Sequence, residues 1–119
     1  IPMTSLTNPY TMVLNGSAQE NVSELRIDFL NVKKAALILR ALNHKLRQQM
    51  IQLLDEKQKM TVTELYVQLR LEQSVASQHL AILRRAGMVS TTREGKFIYY
   101  SVNHKRLAEI YHFVEQLLG

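Results

Sequence analysis

The 119-residue chain contains no cysteine. That excludes disulfides, thiolate metal sites and a thiol redox switch. It has only four glycines, and they build no phosphate-cradling loop. No apolar run approaches the roughly 18 residues of a membrane span. The first residues lack the charged start and long apolar stretch of a secretory signal, so a cytoplasmic setting is expected. Ile1 and Pro2 precede Met3, which fits either a processed start or an added remnant. No Cys nucleophile exists and no Ser–His–Asp arrangement stands out, so no catalytic residue is assigned and an enzyme is not expected. Acids are in the minority, with 10 Asp and Glu against 15 Lys and Arg and a net charge of +5. Such a balance suits a polyanionic partner, though many soluble proteins share it. Its distribution says more. Between residues 74 and 102, Arg84, Arg85, Arg93 and Lys96 stand against Glu94 alone.

The length fits one domain with a modest core. Residues 1–21 are polar and turn-rich, and they read as a loosely ordered arm before a domain over 22–119. From Val22, apolar residues recur at Leu25, Phe29, Val32, Ala36 and Leu39, the spacing of an amphipathic helix. A second helix follows, with Asn43 as a candidate cap and Leu46, Met50, Leu53 and Leu54 inward. Asp55 to Lys59 reads as a charged loop. Thr61-Val-Thr-Glu64 has the capping-box pattern and opens a short third helix, with Leu65 and Leu69 inward. After a turn at 70–73, a fourth helix runs from about Ser74 to Ala86 and stops at Gly87. The period then changes. Met88–Thr92 and Phe97–Val102 are rich in β-branched and aromatic residues, and Arg93-Glu-Gly-Lys96 joins them as a turn. Asn103 can cap a last helix, whose apolar residues are Leu107, Ile110, Tyr111, Val114, Leu117 and Leu118. The expected fold is mainly α with a β-hairpin: four helices, a hairpin wing and a fifth helix, a winged helix–turn–helix.

The fourth helix carries the functional signal. At about 100° per residue, Ser74, Ser77, Gln78, Ala81 and Arg85 share one narrow stripe. Val75, His79, Ile82, Leu83 and Ala86 fall on the other side. An ordinary surface helix would usually turn Lys and Glu outward; this stripe has no acid. Ser and Gln can hydrogen-bond to base edges in the major groove, and small neighbours let the helix approach closely. The hairpin, spanning about 88–102, would reach phosphates through its basic tip.

The run Gln73-Ser-Val-Ala-Ser-Gln-His-Leu-Ala-Ile-Leu-Arg-Arg-Ala-Gly-Met-Val89, with Arg93-Glu-Gly-Lys96 and Tyr99-Tyr100 after it, closely resembles the ArsR/SmtB family of bacterial transcriptional repressors. The likeness covers about residues 22–118. Ala41-Leu-Asn-His-Lys-Leu-Arg-Gln-Gln-Met-Ile-Gln-Leu-Leu54 resembles the family's second helix, with Asn43-His44 in place of the usual Asp-Pro. The resemblance implies a homodimer on double-stranded DNA, at an operator with inverted repeats, released by an inducer. It implies base contacts at Gln73, Ser74, Ser77 and Gln78, three of which the stripe also selects. It places Arg93 and Lys96 on the wing. Arg85 completes the DNA-binding set from the stripe. A dimer would also cover the apolar residues of the first and last helices: Leu25, Phe29, Val32, Leu107, Ile110, Tyr111, Val114 and Leu118. The alternative is a winged-helix protein-interaction module without DNA binding. Such a module would be expected to lose the Ser and Gln stripe or surround it with acids.

Many relatives sense metal ions, and the family's ligand positions can be read across. The stretch matching its cysteine site is Thr63–Leu69, which has no cysteine. A second site type uses positions on the last helix that here hold His104, Arg106 and Leu117, with a fourth beyond Gly119. His112 and Glu115 could share one ion, but they read more simply as a solvated helix face. His79, on the inward side, reads as a packed, hydrogen-bonded imidazole, and His44 as part of the second helix's start. No metal site or cofactor is therefore assigned, and the inducer is not legible.

Overall fold

The computed structural model describes residues 9–119; residues 1–8 lie outside the described residues, and with them Ile1 to Met3 and the start of the expected arm. The described order is β1 (Thr11–Leu14), β2 (Leu25–Asp28), α1 (Phe29–Leu42), α2 (Lys45–Lys57), α3 (Val62–Leu69), α4 (Gln73–Arg85), β3 (Val89–Glu94), β4 (Phe97–Val102) and α5 (His104–Leu118). The expected series of four helices, a hairpin and a fifth helix is present, so the fold is a winged helix–turn–helix. An N-terminal hairpin precedes it. The chain divides into two compact units after Leu37, within α1.

In the N-terminal unit, β1 and β2 pair antiparallel, from Thr11 opposite Asp28 to Leu14 opposite Leu25. The helix expected from Val22 therefore starts seven residues later, at Phe29. The reason is non-local pairing. Leu25 has the helical spacing to Phe29 and Val32, but Leu25–Asp28 is extended because Thr11–Leu14 pairs with it. The connecting loop closes with a bridge between Ser17 and Val22. Gly16 has φ +83°, and a Cβ there would sit 2.2 Å from the Val22 carbonyl oxygen, so only glycine fits. The Asp28 carboxylate accepts the Leu30 N–H at 2.8 Å, serving one of the free donors in the first turn of α1. Among residues 9–37 none is buried.

The C-terminal unit holds the core. Met50 and Leu54 from α2, Leu65 from α3, Leu80 and Leu83 from α4, and Met88 just before β3 are fully buried. The helix ends are set by local chemistry. His44, rather than Asn43, caps α2: its Nδ1 accepts the Leu46 N–H at 3.2 Å. This helix runs on to Lys57, through most of the segment expected as a loop. Thr61 and Glu64 form the capping box of α3 from both sides, at 3.2 and 2.9 Å. Asn103 caps α5 by accepting the Arg106 N–H at 3.1 Å.

The C-terminal ends of α3 and α4 close in the same way. After α4, the Gly87 N–H donates to Arg84 O at 2.9 Å and the Met88 N–H to Leu83 O at 3.0 Å, with Gly87 at φ +78°. This is a Schellman closure, with Met88 and Leu83 as its buried hydrophobic pair. After α3, the Arg70 N–H donates to Val67 O and the Leu71 N–H to Tyr66 O, but the left-handed position belongs to Arg70, at φ 57°. The wing is pinned as well. Met60 and Tyr100 exchange two backbone hydrogen bonds, at 3.1 and 2.7 Å, adding a short third segment to the β3–β4 pair.

Two substitutions test the core. Leu83→Ala is expected to lower unfolding free energy by about 2–5 kcal/mol through the cavity it leaves. Gly87→Ala is expected to cost about 1–2 kcal/mol, because it forces a Cβ into the left-handed region and sets it 3.3 Å from the Arg106 side chain. Urea titration of each variant measures both; an unchanged midpoint for Gly87→Ala would contradict the closure.

Candidate nucleic-acid interface

The core packing of α4 fixes which way its polar stripe points. Ala76, Leu80 and Leu83 are buried, with Val75, His79 and Ile82 half-buried beside them. Of the expected inner face, Leu83 and Ala86 are buried and Val75, His79 and Ile82 only half-buried; the buried centre lies further round the helix, where Ala76 and Leu80 join Leu83. Ala76 has no exposed surface at all, and its small side chain suits the close packing of α4 on α3. Opposite this face, Ser74, Ser77, Gln78, Ala81 and Arg85 are all exposed. Gln73, expected just ahead of the helix, is its first residue and is exposed too. No acid lies within α4, and Arg84 and Arg85 occupy its last turn, where positive charge complements the helix dipole.

Behind this helix lies a polar cluster that the sequence patterns did not reveal. Arg47 of α2 is 6% exposed and has no carboxylate partner among the described residues. Its Nε donates to Ala41 O at 2.6 Å and its Nη2 to Arg40 O at 2.9 Å. Its Nη1 lies 3.1 Å from Nδ1 of His79. Arginine can only donate, so this His79 nitrogen accepts and the ring is neutral. The His44 ring stands 4.9 Å from it, centroid to centroid. Burial, then the neighbouring His44 and Arg47, hold the His79 pKa below its ordinary 6.5. The packed imidazole expected at His79 is what the chain builds. The available hint for Arg47 was its place on the apolar stripe of α2, between Leu46 and Met50.

The wing brings Arg93 and Lys96 to a two-residue turn. Glu94 pairs with Phe97, and Gly95 takes the first loop position at φ +63°. Both basic side chains are exposed and partly anchored. Arg93 Nε donates to Gly95 O at 3.1 Å, leaving its terminal nitrogens free to point elsewhere. Lys96 Nζ lies 5.4 Å from the Phe97 ring centroid. Glu94, the acid between them, is held by Lys59 from the α2–α3 connection.

Arg106 occupies a position where the family resemblance implied a metal ligand. Here its Nε donates to Ala86 O at 3.2 Å, tying α5 to the end of α4. His104 Nε2 lies 2.7 Å from Asp55 Oδ1 on the surface. Among the described residues, no three His, Asp or Glu converge where they could hold an ion.

The residues expected between two copies divide. Leu25, Phe29, Val32, Tyr111 and Leu118 stand exposed, Leu118 at 80%. Leu107 and Val114 are half-buried. Ile110 is corrected: at 6% exposure it belongs to the chain's own core, so it offers a partner almost nothing. Leu37, Phe113 and Leu117 are exposed apolar residues that the sequence did not single out for this role.

A buried helix–turn–helix, an outward polar stripe and a basic wing define a winged-helix DNA-binding regulator. The family model "Bacterial regulatory protein, arsR family" matches residues 44–91, from the cap of α2 into β3. The chain is 36% identical over 85 residues to the transcriptional activator HlyU of Vibrio cholerae, covering 69% of this chain and 78% of that protein. It is 29% identical over 85 residues to the transcriptional repressor PagR of Bacillus anthracis, covering 71% of this chain and 85% of that one. Among solved structures, NolR from Sinorhizobium fredii superposes with a TM-score of 0.60 at 28% identity, over 86% of this chain and 93% of that chain. The chain belongs to the ArsR family of helix–turn–helix transcriptional regulators, whose members regulate transcription and are not enzymes.

The Arg47–His79 contact gives a pH prediction. Because the folded-state pKa of His79 is lowered, the unfolded chain takes up that proton first as pH falls. Its stabilising effect is complete above about pH 6.5 and is lost as pH drops through the interval below it. His79→Asn keeps an oxygen acceptor for Arg47 but cannot titrate. Urea unfolding at a series of pH values is expected to show a smaller acid loss in this variant than in the wild type; equal losses would contradict it.

Proposed function

We propose that the chain is a homodimeric, sequence-specific repressor that acts in the cytoplasm on an inverted-repeat operator. The observation that carries this is the exposed Ser74–Ser77–Gln78–Ala81–Arg85 stripe, held outward by the buried Ala76, Leu80 and Leu83. Small and hydrogen-bonding side chains at the tip of a rigid helix fit the major groove. Ser74, Ser77 and Gln78 read base edges, with Gln78 suited to adenine, and Gln73 contacts the operator beside them. Arg85, Arg93 and Lys96 take phosphates, which position the protein without reading sequence. The similar repressors, PagR and the biofilm growth-associated repressor of Agrobacterium fabrum, support the direction of regulation, whereas HlyU is an activator.

Dimerisation uses the exposed apolar residues that each unit leaves uncovered: Leu25, Phe29 and Val32 in one, Tyr111 and Leu118 with the half-buried Leu107 and Val114 in the other. Two-fold symmetry would then place the two reading helices about one turn of DNA apart, roughly 34 Å. The chain has no cysteine for the family's thiolate site.

Selecting bound fragments from a random duplex pool is the decisive test, and an imperfect palindrome is the expected product. Recovery of no common sequence would defeat the proposal. On the recovered operator, Gln78→Ala is expected to cost about 1–3 kcal/mol, and much less on random DNA. Arg93→Ala and Lys96→Ala should weaken both DNAs alike. With about three phosphates per chain, the dimer's log–log salt slope is expected near −5.

A further inference from the structure

Glu94 is the one acid between residues 74 and 102, and it stands at the wing turn between Arg93 and Lys96. A carboxylate there would face the same phosphates as its basic neighbours and repel them. The structure gives it a partner from a distant part of the sequence. Lys59 Nζ sits 2.8 and 2.7 Å from the two carboxylate oxygens of Glu94. The same ammonium lies 4.7 Å from the Tyr99 ring centroid on β4. The adjacent Met60 is bonded to Tyr100 by two backbone hydrogen bonds, so the segment carrying Lys59 is fixed to the strand that carries Tyr99. Two carboxylate oxygens and an aromatic face occupy an ammonium with three donors, which leaves it poorly placed to hold a phosphate as well.

We propose that Lys59 is a positioning residue for DNA binding: it neutralises Glu94 at the wing turn and so lets Arg93 and Lys96 act as an uncompensated positive pair. This inference rests on the wing's role proposed above. Its effect on fold stability is small, because both partners are about half exposed and pairs of that kind contribute little. Its effect on the field around the wing is larger, because a full negative charge appears when Lys59 is removed.

The test measures duplex affinity and its salt dependence for the full chain, on a random-sequence duplex of about three helical turns. The variants are Lys59→Met, Glu94→Gln and the two together. Lys59→Met is expected to weaken binding about fivefold per chain, the effect of one unit charge at close range in water, and so about 25-fold for the dimer. Its log–log salt slope should become shallower by about one per chain. Glu94→Gln alone should bind at least as tightly as wild type. The double variant should recover wild-type affinity and slope, which a misfolded wing or a lost phosphate contact could not produce. A double variant as weak as Lys59→Met would overturn the proposal, since Lys59 itself would then be holding phosphate. A Lys59→Met protein that binds like wild type would overturn it too. Failure of the functional reading shows differently, in a wild-type protein that does not bind the duplex.

Discussion

The arrangement turns on a buried guanidinium that has no carboxylate partner among the described residues. Removing a charge from water costs several kcal/mol unless hydrogen bonds compensate. Arg47 meets this cost with the carbonyls of Arg40 and Ala41 and with the ring nitrogen of His79. The two carbonyls lie in the last turn of α1, where unsatisfied C=O groups carry partial negative charge. One side chain therefore serves the end of α1, sits in the first turns of α2, and braces the rear of α4. The His79 ring must stay neutral to take part, so the cluster also fixes a protonation state inside the fold.

From that brace the presentation of α4 follows. Its buried side rests on α3 and on the wing. Its C-terminal end is closed by Gly87 and held by Arg106 from α5. A helix seated at its back and its end has little freedom to roll about its axis. Its exposed stripe can then be short and polar, since none of those side chains is needed for packing. The wing is fixed separately, through Met60 and Tyr100.

What the sequence showed, and what it hid, divides by distance along the chain. The Thr61–Glu64 box, the Asn103 cap, the Gly87 stop and the wing turn depend on neighbours a few residues away, and local pattern was enough to find them. The polar stripe of α4 was legible for the same reason, because one helix carries it. The β1–β2 hairpin was not, because Leu25 and Ile27 become extended only when Thr11–Leu14 lies beside them. The partners of Arg47 and Lys59 were hidden similarly, at separations of 32 and 35 residues. Periodicity placed α4's inner face too near His79. It could not foresee that Ala76, rather than a bulky residue, would meet the core.

The N-terminal unit has a thermodynamic signature of its own. Its described residues form two strands and most of a helix, yet none of them is buried. The heat-capacity change of unfolding scales with the apolar area that unfolding newly exposes. A segment that already shows its apolar surface adds little to it. Calorimetry on the isolated chain would therefore report mainly the C-terminal unit.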